Sequence, residues 1–315
     1  MKKFWFCLCL LLCLTACSQQ PEEPAPPPEE PPAEEPVVPE EPPAEEPEPE
    51  PPFVPQWVES TPQEGEPITP QPGETADTWD PVKAEAFPAD LWCTDLGLLE
   101  KWMAVEGLTW ADLDARNCDQ LVLAVAQETD GVSTVTICYE RQEGGSWKPV
   151  ESLGRMAGYT GSKGIQHNRQ RNTRRSPAGL WRLGSAFGLA ERPEGLKLAW
   201  RDITPQSDWV CDADSPYFNT WQERDDPNLT ATWNWNDVEH LEKYTETYRY
   251  SVVIQYNTPP YVIPGRGCAI FFHCSDHPTE GCIGLLEEDM LATLLWLDAE
   301  KNPHILITGY QLPEA

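Results

Sequence analysis

Apolar residues after position 118 recur in short runs, several of which alternate with polar residues. The predicted strands are residues 121–126, 132–139, 248–256, 269–272 and 304–308. Residues 132–139 and 248–256 are apolar at every second position, which is the period of a strand. Thr129-Asp130-Gly131 and Gly144-Gly145 flank the second run, and both predict hairpin turns.

Helical spacing is confined to a few segments. Residues 86–118 predict one or two short helices that lead into the domain, and residues 237–247 predict another. The clearest helix is predicted over 287–297, where acids fill the first turn and one stripe is apolar, formed by Leu286, Met290, Leu294 and Leu297. Short strands with few long helices indicate a mainly β domain over residues 119–315, either a sandwich or a barrel.

The first 85 residues differ from the rest in composition. Residues 1–17 hold two lysines, an apolar run and Leu14-Thr15-Ala16-Cys17, which resembles a bacterial lipobox with Cys17 as the lipidated residue. The run is too short to span a membrane as a mature helix. An ordinary secretory signal or a short anchor is the alternative.

Residues 18–85 are predicted to form a disordered tether. Residues 18–80 contain more than half of the chain's 34 prolines and no Lys or Arg. Such a segment buries too little apolar surface to offset its ordering entropy, and proline keeps it extended. A proline-rich ligand for a partner domain is the alternative. The chain's net charge of −30 argues against nucleic acid as a partner.

The most informative stretch is Gly267 to Gly284, which reads GCAIFFHCSDHPTEGCIG. Its apolar run ends on His273, and a polar loop leads to Gly281-Cys282. An imidazole within reach of a thiol can take its proton, and glycine before the thiol lets backbone N–H groups approach an oxyanion. Three alternatives stay open: inert packing, a zinc site or a disulfide. The zinc ligands would be His273, Cys274, His277 and Cys282, and the disulfide would join Cys274 to Cys282.

This stretch resembles the signature of the L,D-transpeptidase catalytic domain, the YkuD-like family. Thr279-Glu280-Gly281-Cys282-Ile283 matches [ST]-x-G-C-[IVR] with His273 upstream, although Glu280 stands where many members have His. Ser176-Pro177-Ala178-Gly179 resembles a second element of the family, T-P-x-G. The element from Asp212 to Asn219 resembles a third, and its carboxylates either bind a metal or shape a turn.

The resemblance implies a curved β-sandwich with a few peripheral helices. It implies a cell-wall L,D-transpeptidase in which Cys282 attacks a peptidoglycan stem peptide, releases D-alanine and makes 3→3 cross-links, without a cofactor. His273 would be the base that holds Cys282 near the thiolate, and the N–H groups of Gly281 and Cys282 would form the oxyanion hole. Arg175 and Glu280 are expected to bind substrate.

Two other functions remain open at this point. With water as the acceptor, the same site would be an L,D-carboxypeptidase. A wall-binding or zinc-stabilised module on the same fold would not be catalytic. In each case a lipid-anchored protein would lie outside the cytoplasm, on the outer face of a bacterial cell membrane. Seven cysteines follow Cys17, and this odd number leaves at least one unpaired.

Overall fold

The computed structural model describes residues 95–127, 130–260 and 262–310. The predicted signal peptide with Cys17 and the predicted tether lie outside the described residues. So does the first part of the lead-in, residues 86–94.

The described residues form strands, three α-helices and short 3-10 helices. The strands are β1 (Gln120–Ala126), β2 (Ser133–Arg141), β3 (Trp147–Pro149), β4 (Arg155–Tyr159), β5 (Ile165–Gln166), β6 (Ser176–Pro177), β7 (Gly179–Gly188), β8 (Trp200–Asp202), β9 (Ser207–Val210), β10 (Trp221–Glu223), β11 (Val238–His240), β12 (Ser251–Ile254), β13 (Phe271–Cys274), β14 (Ile283–Leu285) and β15 (His304–Gly309). The α-helices are α1 (Asp95–Val105), α2 (Trp110–Asp114) and α3 (Glu287–Trp296), and the 3-10 helices are Leu241–Lys243, Pro264–Arg266 and Ala299–Lys301.

Eight of the strands close into a ring. Their order is β1-β15-β7-β12-β13-β14-β4-β2, and β2 pairs back with β1. Closure satisfies the backbone groups that a sheet edge would leave unpaired. The prediction of a mainly β fold is therefore confirmed. The expected sandwich is not, because the main sheet is an eight-stranded barrel. Strands β3 and β8 attach to it by pairing with β2 and β7.

The largest apolar cluster occupies the inside of this barrel. Every ring strand contributes to it, and Met290 and Leu294 of α3 join it. Its strand members follow the alternation of a pleated strand, as in Val122, Ala124 and Ala126. Leu286 does not belong to the helical stripe predicted for it. It lies before the first residue of α3 and is exposed.

Helices α1 and α2 cover the outer face of β1 and β2. Leu99 and Trp102 of α1 and Leu113 of α2 share a buried cluster with Leu121 and Ile137 of the barrel. Both faces of β1 are therefore buried, which explains why its sequence is a continuous apolar run. The helices predicted to lead into the domain are part of its core.

A small sheet covers another part of the outer face. Its strand order is β10-β9-β11. The prediction of a helix over residues 237–247 is wrong, because β11 and a 3-10 helix lie in that segment. Trp209 and Trp221 are buried against Phe187 and Phe271 as core, whereas Trp235 is exposed.

Strands β13 and β14 are parallel neighbours. Phe272 lies opposite Ile283, and His273 lies opposite Gly284. Parallel strands usually need a crossover of a dozen or more residues. Here residues 275–282 alone return the chain from the end of β13 to the start of β14. Within the described part of the chain, no helix has the length and apolar character needed to cross a membrane.

Candidate active site

Cys282 and His273 lie on the same outer face of the barrel. In β13, Phe272 and Cys274 belong to the inner cluster, so Phe271 and His273 point outward. Ile283 also belongs to the inner cluster, and Cys282 packs with Phe271 in the outer one. The parallel pairing therefore brings a thiol and an imidazole, nine residues apart in sequence, to one surface under the small sheet.

The Cys282 side chain is 8% exposed and has backbone partners on both sides. The Phe271 N–H donates to Sγ at 3.3 Å, and the thiol S–H donates to the Ala269 carbonyl at 3.5 Å. An N–H aimed at sulfur stabilises a thiolate once it forms.

His273 is held in one orientation by its own strand. It is 4% exposed, and Nδ1–H donates to the Cys274 carbonyl at 2.8 Å. The Tyr248 ring packs edge-to-face against the imidazole with centroids 5.6 Å apart. Because Nδ1 carries the proton in this arrangement, Nε2 has the lone pair that a general base needs.

Burial keeps both groups neutral. Burial raises the pKa of the Cys282 thiol to about 12, an effect that Glu239 reinforces and the Phe271 N–H and Arg169 oppose. Burial lowers the pKa of His273 to about 4. Desolvation therefore opposes the expected ionisation of Cys282 by His273, since it penalises both ionised forms. The hydrogen bonds of both side chains go to backbone groups.

Two hydroxyl groups fix the backbone at Cys282. Thr279 and Ser176 donate to the Cys282 carbonyl at 2.7 and 2.9 Å. Ser176 also accepts from the Gly161 N–H at 2.8 Å. Sequence reasoning gave Ser176 no role, although it opens the Ser-Pro-Ala-Gly element that resembles the family motif.

Gly281 meets a strict local requirement. Its φ is +140°, and a Cβ there would lie 3.0 Å from Arg169 Nη2 and 3.1 Å from the Arg175 carbonyl. Only glycine combines this backbone with such close neighbours. The Gly281 N–H, expected in the oxyanion hole, donates to Thr279 Oγ1 at 3.1 Å.

A cleft of about 680 Å³ opens beside the two side chains. Its charged lining includes Arg169, Arg171, Arg174, Asp237, Glu239 and Glu280. Arg174 pairs with Glu280 at 2.8 Å on the exposed rim, and Arg171 pairs with Asp237. Glu280 therefore lines the cleft, and its role in substrate binding stays a prediction. Arg175 is not among the lining residues, and its Nη1 lies 3.4 Å from the Ile165 carbonyl.

A buried carboxyl group lies behind the imidazole. The Tyr248 hydroxyl donates to Glu239 Oε1 at 2.9 Å, and burial raises the pKa of Glu239 above its ordinary value. Glu239 and Tyr248 both line the cleft. No sequence signal marked Glu239, because it lies in a segment predicted to be helical.

The segment before β13 is anchored at two points. Cys211 and Cys268 form a disulfide, and Asn219 Oδ1 accepts the Ala269 N–H at 3.0 Å. Together they hold Ala269 in place, and the Ala269 carbonyl accepts from the Cys282 thiol. Asn219 belongs to the Asp212–Asn219 element. Asp212 at its start accepts backbone N–H groups of Asp214 and Asn234, so that carboxylate shapes a turn.

The structure bears on the disulfide and the zinc site that the sequence left open for Cys274 and Cys282. Cys274 and Cys282 are both free thiols, so they do not form a disulfide with each other. They also face opposite sides of the sheet. Among the described residues, the one group of metal-ligating side chains close enough to hold an ion is Asp208, His240 and Glu242. The four residues considered for zinc do not form such a group.

The chain matches no protein-family model, and comparison with curated proteins and with solved structures likewise finds no match.

Proposed function

We propose that this protein is a cysteine acyltransferase of the L,D-transpeptidase type that acts on peptidoglycan stem peptides. The observation that carries the proposal is the position of Cys282 and His273 on one face of neighbouring strands, lining the same cleft. The mainly β character and the peripheral helices agree with the family resemblance, whereas the closed barrel differs from the sandwich that it implies.

The reaction would start from a neutral pair. As the Cys282 sulfur bonds to the substrate carbonyl carbon, its proton passes to Nε2 of His273. The Phe271 N–H lies 3.3 Å from the sulfur and stabilises the partial negative charge that the sulfur carries while its proton leaves. The tetrahedral intermediate collapses to a thioester when the imidazolium returns the proton to the departing amine of D-alanine. A neighbouring stem's amine then attacks the thioester and regenerates the thiol.

Neutral resting groups suit a substrate-triggered reaction. Ionising both groups before substrate binds costs desolvation energy, whereas proton transfer during attack forms the imidazolium together with the oxyanion that offsets its charge. The Gly281 N–H donates to Thr279, so the Cys282 N–H is the better candidate oxyanion donor.

Substrate carboxylates would be recognised at the cleft rim. The Arg174–Glu280 pair is more than half exposed on both sides, and such pairs contribute little stability. A substrate carboxylate can therefore replace Glu280 on the Arg174 guanidinium at small cost, and Arg forks match carboxylates well. Arg174 takes the role expected of Arg175.

One observation favours a second candidate, a non-catalytic wall-binding module. The Cys282 sulfur and the His273 imidazole each bond to backbone groups, and burial disfavours the thiolate. Such a module would bind stem peptides in the cleft without forming a thioester.

Incubation of the purified protein with a disaccharide tetrapeptide, followed by mass spectrometry, separates the candidates. A transpeptidase gives free D-alanine, a cross-linked dimer and a trapped acyl-enzyme on Cys282. D-alanine without dimer indicates water as the acceptor, and binding without D-alanine release supports the module.

Variants test the assigned roles. Cys282→Ala should abolish D-alanine release, and His273→Ala should slow it about 10²–10⁴-fold, the usual scale for a lost general base. Cys138→Ala removes a buried thiol of the inner cluster and is the matched control. A Cys282→Ala protein that still released D-alanine would overturn the mechanism.

We further propose that Cys17 is lipidated and holds the protein on the outer face of a bacterial membrane, where this substrate lies. Two acyl chains suffice for stable anchoring. Cys17→Ser should move the protein from the membrane fraction to the soluble fraction. A variant that remains membrane-bound and uncleaved would mean that the segment is a transmembrane anchor.

A further inference from the structure

A second cluster of chemically active side chains lies in the small sheet. Asp208 belongs to β9, His240 ends β11, and Glu242 lies in the following 3-10 helix. Each offers a ligand atom within 4.8 Å of the other two. These residues are separate from Cys282 and His273, and the cleft lining does not include them.

The Asp208 carboxylate interacts with three neighbouring side chains. Its buried carboxylate accepts from His240 Nδ1 at 2.8 Å and from Trp233 Nε1 at 3.1 Å. Arg224 also pairs with Oδ1, and its Nη1 lies 3.3 Å from His240 Nδ1. The guanidinium balances the charge of Asp208, so this carboxylate orients the imidazole and does not need a cation of its own.

This contact decides which ring nitrogen of His240 remains available. Two groups face Nδ1, the acceptor Asp208 Oδ1 at 2.8 Å and the donor Arg224 Nη1 at 3.3 Å. Because the carboxylate is the nearer of the two and only accepts hydrogen bonds, we assign the proton to Nδ1 and the lone pair to Nε2. Metal-ligating histidines usually have this arrangement, with the second nitrogen donating to a carboxylate.

Two acceptor atoms at this cluster are buried without a partner among the described residues. They are His240 Nε2 and Glu242 Oε2. His240 is only 8% exposed, and the Trp235 ring lies 4.0 Å from its ring. Buried polar atoms are almost always paired, and a cation shared by these two acceptors would satisfy both of them.

We propose that His240 Nε2 and Glu242 Oε2 bind a divalent transition-metal ion of the zinc class, with water completing the coordination and Asp208 orienting the imidazole. A mixed imidazole and carboxylate set suits zinc, whereas calcium and magnesium prefer oxygen ligands. Lys243 and Arg224 both lie near the Trp235 ring. Arg224 is paired with Asp208 and Lys243 is exposed to solvent, so the Glu242 carboxylate is the charged ligand of the site. This site does not depend on the proposed acyl transfer.

Metal binding to the purified full chain tests the proposal. After chelator treatment and dialysis against ZnCl₂, we expect one zinc per chain and a rise in the melting temperature. Glu242→Gln keeps the side chain's shape and should weaken zinc binding at least tenfold. Asp208→Asn should weaken it about 10–100-fold, the usual effect of an orienting residue. Glu246→Gln, an exposed change nearby, should leave binding unchanged.

Cobalt distinguishes this cluster from the cysteine loop. Co²⁺ bound at His240 and Glu242 gives weak visible bands without a thiolate charge-transfer band. That band would instead mean ligation by cysteine and would overturn the assignment. A chain that binds no stoichiometric zinc, or a Glu242→Gln variant that binds zinc as the natural chain does, would also overturn it.

Discussion

Replacing Ser176 with Ala tests how the nucleophile is held. The Ser176 hydroxyl donates to the Cys282 carbonyl and accepts from the Gly161 N–H, and the residue is fully buried. Alanine fits the space but removes both contacts. Thr279 still donates to the same carbonyl, so the loop should keep its path while losing one of its two supports.

The cost follows from the two contacts. A buried hydrogen bond contributes about 1 kcal/mol net, and a buried donor left unpaired costs about 1–3 kcal/mol. Ser176→Ala should therefore lower the free energy of unfolding by about 2–4 kcal/mol, because the Gly161 N–H has no replacement acceptor. Native-state alkylation of Cys282 should also become faster, since the loosened loop admits reagent to a thiol that is otherwise 8% exposed.

Denaturant titration followed by tryptophan fluorescence measures the first effect, and alkylation with peptide mapping measures the second. Ser162→Ala is the matched control, because the Ser162 hydroxyl is buried and has no hydrogen-bond partner in the described part of the chain, so its loss should cost little. If Ser176→Ala matched Ser162→Ala in stability and in Cys282 alkylation, Ser176 would not support the nucleophile and the reasoning would fail.

Three further predictions concern the same region and its support. Gly281→Ala should destabilise the fold by about 1–3 kcal/mol in denaturant titration, more than Gly195→Ala, since a Cβ at Gly195 meets open space; equal losses would refute the close approach at Gly281. Cys211→Ser with Cys268→Ser should lower the unfolding free energy by about 4 kcal/mol, from the 57-residue separation that the disulfide spans, and an unchanged denaturation midpoint would contradict this. Burial lowers the pKa of His304 to about 4. Its contribution to the free energy of unfolding is therefore complete above about pH 6.5 and is lost as the pH falls towards 4, because over that interval the unfolded chain binds a proton at His304 and the folded chain does not. His304→Gln should reduce the loss of stability over that interval, and identical pH profiles for the two chains would count against this.

Local pattern was enough to predict most of the barrel strands. Residues 121–126 and 304–308 nearly coincide with β1 and β15. Both are apolar runs, and such a run can be recognised from neighbouring residues alone. Barrel closure was not predictable, since it depends on β1 pairing with β15 from the far end of the described chain as well as with its neighbour β2. The segment 237–247 was predicted wrongly because tertiary pairing of β11 with β9 overrides its weak helical spacing.

The site divides in the same way. Cys282, His273 and Gly281 stand in one short stretch with a recognisable motif, so sequence alone brought them together. Glu239, Tyr248 and Ser176 reach them from distant segments through folding. Ser176 opens a recognisable element, but nothing local shows that it contacts Cys282, and Glu239 and Tyr248 carry no motif. The raised pKa of the Cys282 thiol has no signal in the motif, because desolvation depends on the small sheet that covers the residue and not on the neighbouring imidazole.

The length of the short connection between β13 and β14 fixes the register of the two strands. Residues 275–282 must span the return from one strand end to the other, so their number sets which residue of β14 stands beside His273. One inserted residue taken up in the pairing would turn Cys282 towards the inner cluster, and only a bulged loop could absorb it. In engineering terms, the length of this segment limits redesign more tightly than its composition, apart from Thr279 and Gly281. A library that varies residues 275–278 at constant length should retain far more folded, thiol-competent variants than one that adds a single residue.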